Sequence, residues 1–159
     1  MNITILCIGK LKERYWTEAV NEYKKRLGRY CTLLINELKE EKSPDHPSPA
    51  EQREIIEAEG KNLLRQIKRD SYVIALEIKG EGFSSEDLSE RIRSIGVEGI
   101  SSLVFVIGGS LGLSEEILAR ADFRLSFSRM TFPHQMMRVI LLEQIYRSYK
   151  ILKNEVYHK

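Results

Sequence analysis

Apolar and polar positions along the chain follow two periods. Five short apolar runs, at residues 2–8 (NITILCI), 31–38 (CTLLINEL), 72–78 (YVIALEI), 103–107 (LVFVI) and 123–126 (FRLS), are rich in β-branched residues and too short for helices. Each predicts a strand of a sheet covered on both faces. Between them the pattern shifts to the helical period. Tyr15, Ala19, Tyr23 and Leu27 recur every four residues with Trp16 and Val20 beside them, and Gly28 stops that helix. A second helix over residues 49–69 turns Ile56, Leu63, Leu64 and Ile67 inward, a short one covers residues 114–121, and a long one covers 133–154. The long helix carries Met137, Ile140, Leu141, Gln144, Ile145, Ser148, Tyr149 and Leu152 on one side. Strand and helix alternating five times predict a single α/β domain over residues 1–159, with a mostly parallel sheet and helices on both faces.

Local signals sharpen the boundaries. Ser48, Pro49, Ala50 and Glu51 form a capping box with proline at the first helical position. Ahead of it, residues 39–49 (KEEKSPDHPSP) are almost wholly polar and hold three of the four prolines, a surface loop in which His46 is solvated. Lys79, Gly80, Glu81 and Gly82 predict a glycine turn before a helix capped by Ser84 or Ser85.

Composition narrows the class. At 159 residues, 42% hydrophobic and 30% charged, the chain has room for one core and suits water. No apolar run approaches the roughly 18 residues of a membrane span, and a strand beginning at Asn2 replaces any leader, so a cytoplasmic protein without a membrane partner is expected. Cys7 and Cys31 sit singly in apolar segments and read as buried small hydrophobes; His46, His134 and His158 have no metal-ligand spacing, so no metal is expected. The net charge of +2 is unevenly spread: residues 1–30 and residues 129–159 each carry a net +4 around an acidic middle. Such ends could neutralise phosphates or could be solvated helix faces.

Candidate chemistry concentrates behind the fourth strand. Gly108, Gly109, Ser110, Leu111 and Gly112 lie where a strand ends and Ser114 caps a helix, so the backbone there can approach a ligand closely. The segment has neither the G-x-G-x-x-G nor the G-x-x-x-x-G-K-[ST] spacing of nucleotide loops, and a plain tight strand-to-helix turn is the alternative. IGGSLGL, then LSFSRMTFPHQMMRVILLEQIYRSYKI, then the terminal YHK together resemble the ribosomal RNA large subunit methyltransferase H family of the SPOUT class, a similarity running from ITILCIGKLKERYW to Lys159.

That resemblance implies a C-terminal trefoil knot, S-adenosylmethionine as cofactor, a homodimer, and methylation at N3 of a pseudouridine in 23S ribosomal RNA on the assembled ribosome, with no role for DNA. The knot runs against the general rule that chains avoid threading. By the same resemblance Leu76, Gly108, Phe127, Ser128, Arg129, Met130, Thr131 and Phe132 bind the cofactor, and the tail with Tyr157 and His158 belongs to the active site.

The acceptor nitrogen of an imide carries a weakly acidic proton, so a base or hydrogen-bonding group should assist its removal. His134, Tyr157 and His158 are the candidates; His134, following Pro133 at a helix start, has capping as its alternative role. Arg138, one turn further, could hold a phosphate or a carboxylate. Two other classes fit the same residues: an RNA-binding module without catalysis, and a metabolic enzyme using GGSLG as an anion loop.

Overall fold

The computed structural model describes residues 1–157. Five strands, β1 (Asn2–Ile8), β2 (Thr32–Leu38), β3 (Tyr72–Gly82), β4 (Ser102–Ile107) and β5 (Phe123–Ser126), form one sheet in the order β2-β1-β4-β3-β5, every pair parallel. The helices are α1 (Arg14–Leu27), α2 (Pro49–Leu64), α3 (Ser85–Val97), α4 (Glu115–Arg120) and α5 (His134–Leu152). Alternation along the central strands divides the core in two. Ile3, Ile5, Leu103 and Phe105 meet Val20 and Leu27 of α1, Leu88 and Ile92 of α3, and Leu141 and Ile145 of α5. Leu6, Ile8, Val104 and Val106 meet Leu63 of α2 and Ile117 of α4 on the other face. Both sides of β1 and β4 are thus dry, which is why their sequences read as unbroken apolar runs.

The capping chemistry forms as the sequence suggests. Ser48 Oγ accepts from the Glu51 amide at 3.3 Å while the Glu51 carboxylate accepts from the Ser48 amide at 2.7 Å. At α3 the cap is Ser84, boxed with Asp87.

Several expectations change. β2 begins at Thr32, and Cys31 before it is only partly buried. α2 ends at Leu64, because the amides of Gln66 and Ile67 reach back only three residues, tightening the chain out of the helix before residue 69. The expected glycine turn at residues 79–82 is the far end of β3. Leu76 and then Glu81 both pair with Leu125, so the intervening residues bulge out and the strand rejoins β5. Gly80 is required there: a Cβ would lie 2.7 Å from the Arg124 carbonyl oxygen. The inner face of α5 also differs, since Leu142 and Arg138 are fully buried whereas Met137, Ile140 and Gln144 are half-buried beside open grooves.

Candidate functional site

The carboxyl ends of β3, β4 and β5 open into a cavity of about 360 Å³. Two loops build it. The first follows β4: Gly112 takes a left-handed φ of +92° and its amide donates to the Gly109 carbonyl at 3.1 Å, folding the loop back on itself. A Cβ on Gly108 would stand 2.7 Å from the Gly112 carbonyl oxygen, so the close approach that excludes a side chain at Gly108 is made by the loop's own backbone. Behind the loop lies α2. A Cβ on Gly60 would fall 2.1 Å from Ser114 Oγ, and one on Gly109 would fall 3.0 Å from Glu59 Oε2. Glu59 is buried, its Oε1 accepts the Glu41 amide at 3.1 Å, and burial raises its pKa above the usual carboxylate value.

The second loop, residues 127–133, leaves β5. Ser126 Oγ bonds to the Ile78 carbonyl at 2.9 Å and to the Ser128 carbonyl at 3.1 Å, and the Met130 amide donates to Ser128 Oγ at 3.0 Å. The first of these bonds ties the end of β5 to the bulged part of β3, and the other two brace the loop on itself. Met130 is 73% exposed and Phe132 36%, apolar surface that a ligand in the cavity would cover.

Leu76, Gly108, Phe127, Ser128, Met130, Thr131 and Phe132 all line this cavity; the exposed Arg129 does not. His134 also lines it, with Nε2 3.6 Å from the position a Gly9 Cβ would occupy and Glu40 Oε2 3.7 Å from the same point. Its pKa is lowered, first by burial and then by the charges of Arg138 and Lys12, against an opposing push from Glu40, so the ring is neutral at pH 7. The start of α5 has no side-chain cap, which leaves the capping role of His134 without support. Glu77, unanticipated from the sequence, adds a carboxylate to the wall 3.9 Å from Arg124.

Arg138 does not reach the cavity. It is fully buried: Nη1 donates to Glu37 Oε1 at 2.7 Å, and Nη2 donates to the carbonyls of Ile8 at 2.9 Å and Gly9 at 2.7 Å. The carboxylate it holds is structural. Tyr157 also stands apart from the cavity. Its hydroxyl donates to Glu143 Oε1 at 3.3 Å, its ring meets Tyr146 edge-on at 4.9 Å, and the Arg147 guanidinium lies 4.8 Å from its centroid. The tail therefore docks on its own α5 as far as Tyr157. Glu143 and Arg147, joined at 2.6 Å, were not singled out from the sequence. His158 lies outside the described residues.

Among the described residues no group of three His, Cys, Asp or Glu side chains is placed to hold a metal ion, and no helix is long and apolar enough to cross a membrane.

A family model described as "Predicted SPOUT methyltransferase" matches residues 1–158. The chain is 58% identical to a ribosomal RNA large subunit methyltransferase H of Clostridioides difficile, and 57% identical to one of Clostridium novyi, each over the full length of both chains. Its fold is similar to that of a Haemophilus influenzae protein described as a probable methylase family protein, with a TM-score of 0.51 and 16% identity, covering 96% of this chain and 66% of that one.

Proposed function

Because the chain belongs to the SPOUT methyltransferases, in the ribosomal RNA large subunit methyltransferase H family, we propose that it transfers a methyl group from S-adenosylmethionine to N3 of a pseudouridine in 23S ribosomal RNA. The observation that carries this reading is the cavity at the carboxyl ends of β3, β4 and β5, closed by the glycine loop and the 127–132 loop. Its volume of about 360 Å³ and its mixed lining suit a ligand of that size. Leu76, Phe127, Met130 and Phe132 offer apolar walls for a purine, the backbone from Gly108 to Gly112 and the hydroxyls of Ser128 and Thr131 offer polar partners, and Glu77 can accept from ribose hydroxyls. The bound cofactor supplies an electrophilic methyl group. The chain's own task is to align donor and acceptor and to exclude water. His134, neutral at the cavity rim, is a group able to accept the acceptor nitrogen's proton.

The reading includes the assembled ribosome as substrate, a cytoplasmic homodimer and a trefoil knot. The knot is supported by the course of the chain: after the edge strand β5 it returns to the centre, where Leu141 and Ile145 share a core with Ile3 and Phe105. Dimerisation is supported by the partly exposed apolar Met136, Ile140 and Tyr146 of α5. In a dimer, Tyr157 and His158 of one subunit would complete the acceptor site of the other. An anion-loop enzyme is disfavoured because α4 is only one and a half turns long and opens with Glu115 and Glu116, whose charges repel a phosphate.

Calorimetry with S-adenosylmethionine, followed by transfer of labelled methyl to unmodified ribosomes, separated subunits and free ribosomal RNA, tests the proposal. Micromolar binding with label on one pseudouridine of the large subunit supports it; failure to bind the cofactor refutes it. Mixing a chain defective in the glycine loop with a His158→Ala chain tests the shared site, since activity above either parent requires residues from both subunits.

A further inference from the structure

A second concavity, of about 630 Å³, follows the free edge of the sheet. β2 is paired only with β1, and residues of β2 and α1 line this groove together. Thr17, Asn21 and Lys24, spaced by four and three residues, turn one polar stripe of α1 into it, while Asn36 faces them from β2. Lys10 stands at the end nearest the cofactor cavity, and Val20 and Ile35 give an apolar floor. The charges in it are unbalanced. Its one lining carboxylate, Glu37, is already engaged, accepting from Arg138 at 2.7 Å and from the Leu11 amide at 3.2 Å. Among the described residues neither Lys10 nor Lys24 has an acidic partner within ion-pair distance.

The groove lies next to the cavity to which the reaction is assigned above. Residues 9–12 separate the two concavities: Gly9 lies against His134, and the Lys12 amide donates to Gln135 Oε1 at 2.8 Å. A chain leaving the cavity at His134 would pass over Lys12 and Lys10 into the groove. Ammonium and carboxamide donors over an apolar floor match phosphate oxygens, ribose hydroxyls and the ribose face, and carry little base specificity.

From this we infer that the groove between α1 and β2 holds the sugar-phosphate backbone of the RNA strand flanking the target nucleotide. Lys10 and Lys24 contact phosphates; Asn21 and Asn36 contact ribose or phosphate oxygens. The inference rests on the RNA-methylating reading above. It makes the groove a determinant of substrate affinity, separate from the cofactor cavity.

The test uses the full chain with unmodified large ribosomal subunits, measuring single-turnover methyl transfer against subunit concentration at several salt concentrations. The variants are Lys10→Glu/Lys24→Glu, Asn21→Ala, and Lys61→Glu on the exposed side of α2 as a charge-reversal control outside the groove. The double variant should raise the half-saturating subunit concentration at least tenfold, keep the maximal rate and the S-adenosylmethionine affinity within about twofold, and flatten the log–log salt dependence by roughly 1.5, since each lost phosphate contact removes about 0.7–0.9. Asn21→Ala should raise half-saturation without changing the salt slope. Wild-type half-saturation and slope in the double variant, or an equal loss in Lys61→Glu, overturns the assignment. A weakened half-saturation with an unchanged salt slope also overturns it, pointing instead to a peptide strand added to the β2 edge. Absence of transfer by the wild-type chain, with cofactor bound, would refute the RNA reading itself.

Discussion

Replacing Arg138 with methionine should destabilise the fold and affect methyl transfer only through that loss. The side chain is fully buried, and its guanidinium makes three hydrogen bonds, one to Glu37 and two to the carbonyls that end β1. Methionine fills most of the volume but removes the Arg138 donor from both carbonyls and leaves the Glu37 carboxylate with the Leu11 amide and no cation. Removing one partner of a buried ion pair costs about 3–5 kcal/mol. Glu37 is 30% exposed at its side chain and can recover some hydration, which places the loss near the lower end, at about 3 kcal/mol. For a domain of this size that corresponds to a melting point lower by roughly 6–12 °C. Urea unfolding and thermal melts measure it, and a cycle with Glu37→Gln should give a coupling of at least about 1 kcal/mol because the two groups share one bond. A variant that melts within about 1 °C of wild type while losing methyl transfer would refute the structural role and return Arg138 to the reaction itself.

Four further outcomes are expected. For His134 the folded pKa lies below 6.5, so between those values the unfolded chain binds more protons; stability should be full above pH 6.5 and fall on acidification through the folded pKa, and His134→Gln should flatten that part of the melting profile. For Glu59 the sign is opposite: its folded pKa lies above 4.5, so its contribution is complete below 4.5 and is lost as pH rises through the folded value. Glu59→Gln keeps an acceptor for the Glu41 amide, and its melting point should gain on wild type from pH 4 to pH 7. Gly108→Ala places a methyl 2.7 Å from the Gly112 carbonyl, so the loop must open and S-adenosylmethionine affinity should fall at least tenfold, read by calorimetry. Deleting residues 157–159 removes the contact of Tyr157 with Glu143 on α5, and Tyr157 does not line the cavity, so cofactor affinity should stay within about threefold while transfer to ribosomes collapses.

The strands and the parallel character of their sheet, though not their order, were legible because burial on both faces leaves a plain signature, as in LVFVI of β4. The capping box at Ser48 was legible because its partners are three residues apart, whereas at α3 the sequence left the cap between Ser84 and Ser85 and the box with Asp87 was not read. What sequence reading missed depends on contacts between distant residues. β3 continues through Gly80 only because β5, more than forty positions later, offers it a second register. Arg138 shares a helical face with Leu141, Leu142 and Ile145, but a lone arginine on an apolar stripe could equally mark a ligand, and its acceptors, Ile8, Gly9 and Glu37, are over a hundred positions away. The residues expected to face a cofactor came from resemblance, and apart from Arg129 they line one cavity; the periodicity of the chain marks Phe127 and Met130 as ordinary apolar residues.

These long-range contacts converge on α5. None of its residues is fully exposed, so the helix is gripped along its whole length and has little freedom to slide or turn. Arg138 fixes its first turn to the end of β1, with His134 one turn earlier at the cavity rim. From its middle onward, Glu143, Tyr146 and Arg147 hold Tyr157. Towards its end, Ser89 Oγ donates to the Ser148 carbonyl at 3.1 Å and ties it to α3. A displacement at either end must therefore shift packed core side chains, and interiors at native density resist that. The position of His134 relative to the cavity, and of Tyr157 relative to the last helix, is set by the same rod, and the buried Arg138–Glu37 pair outside the cavity acts on both only by keeping that rod folded against β1.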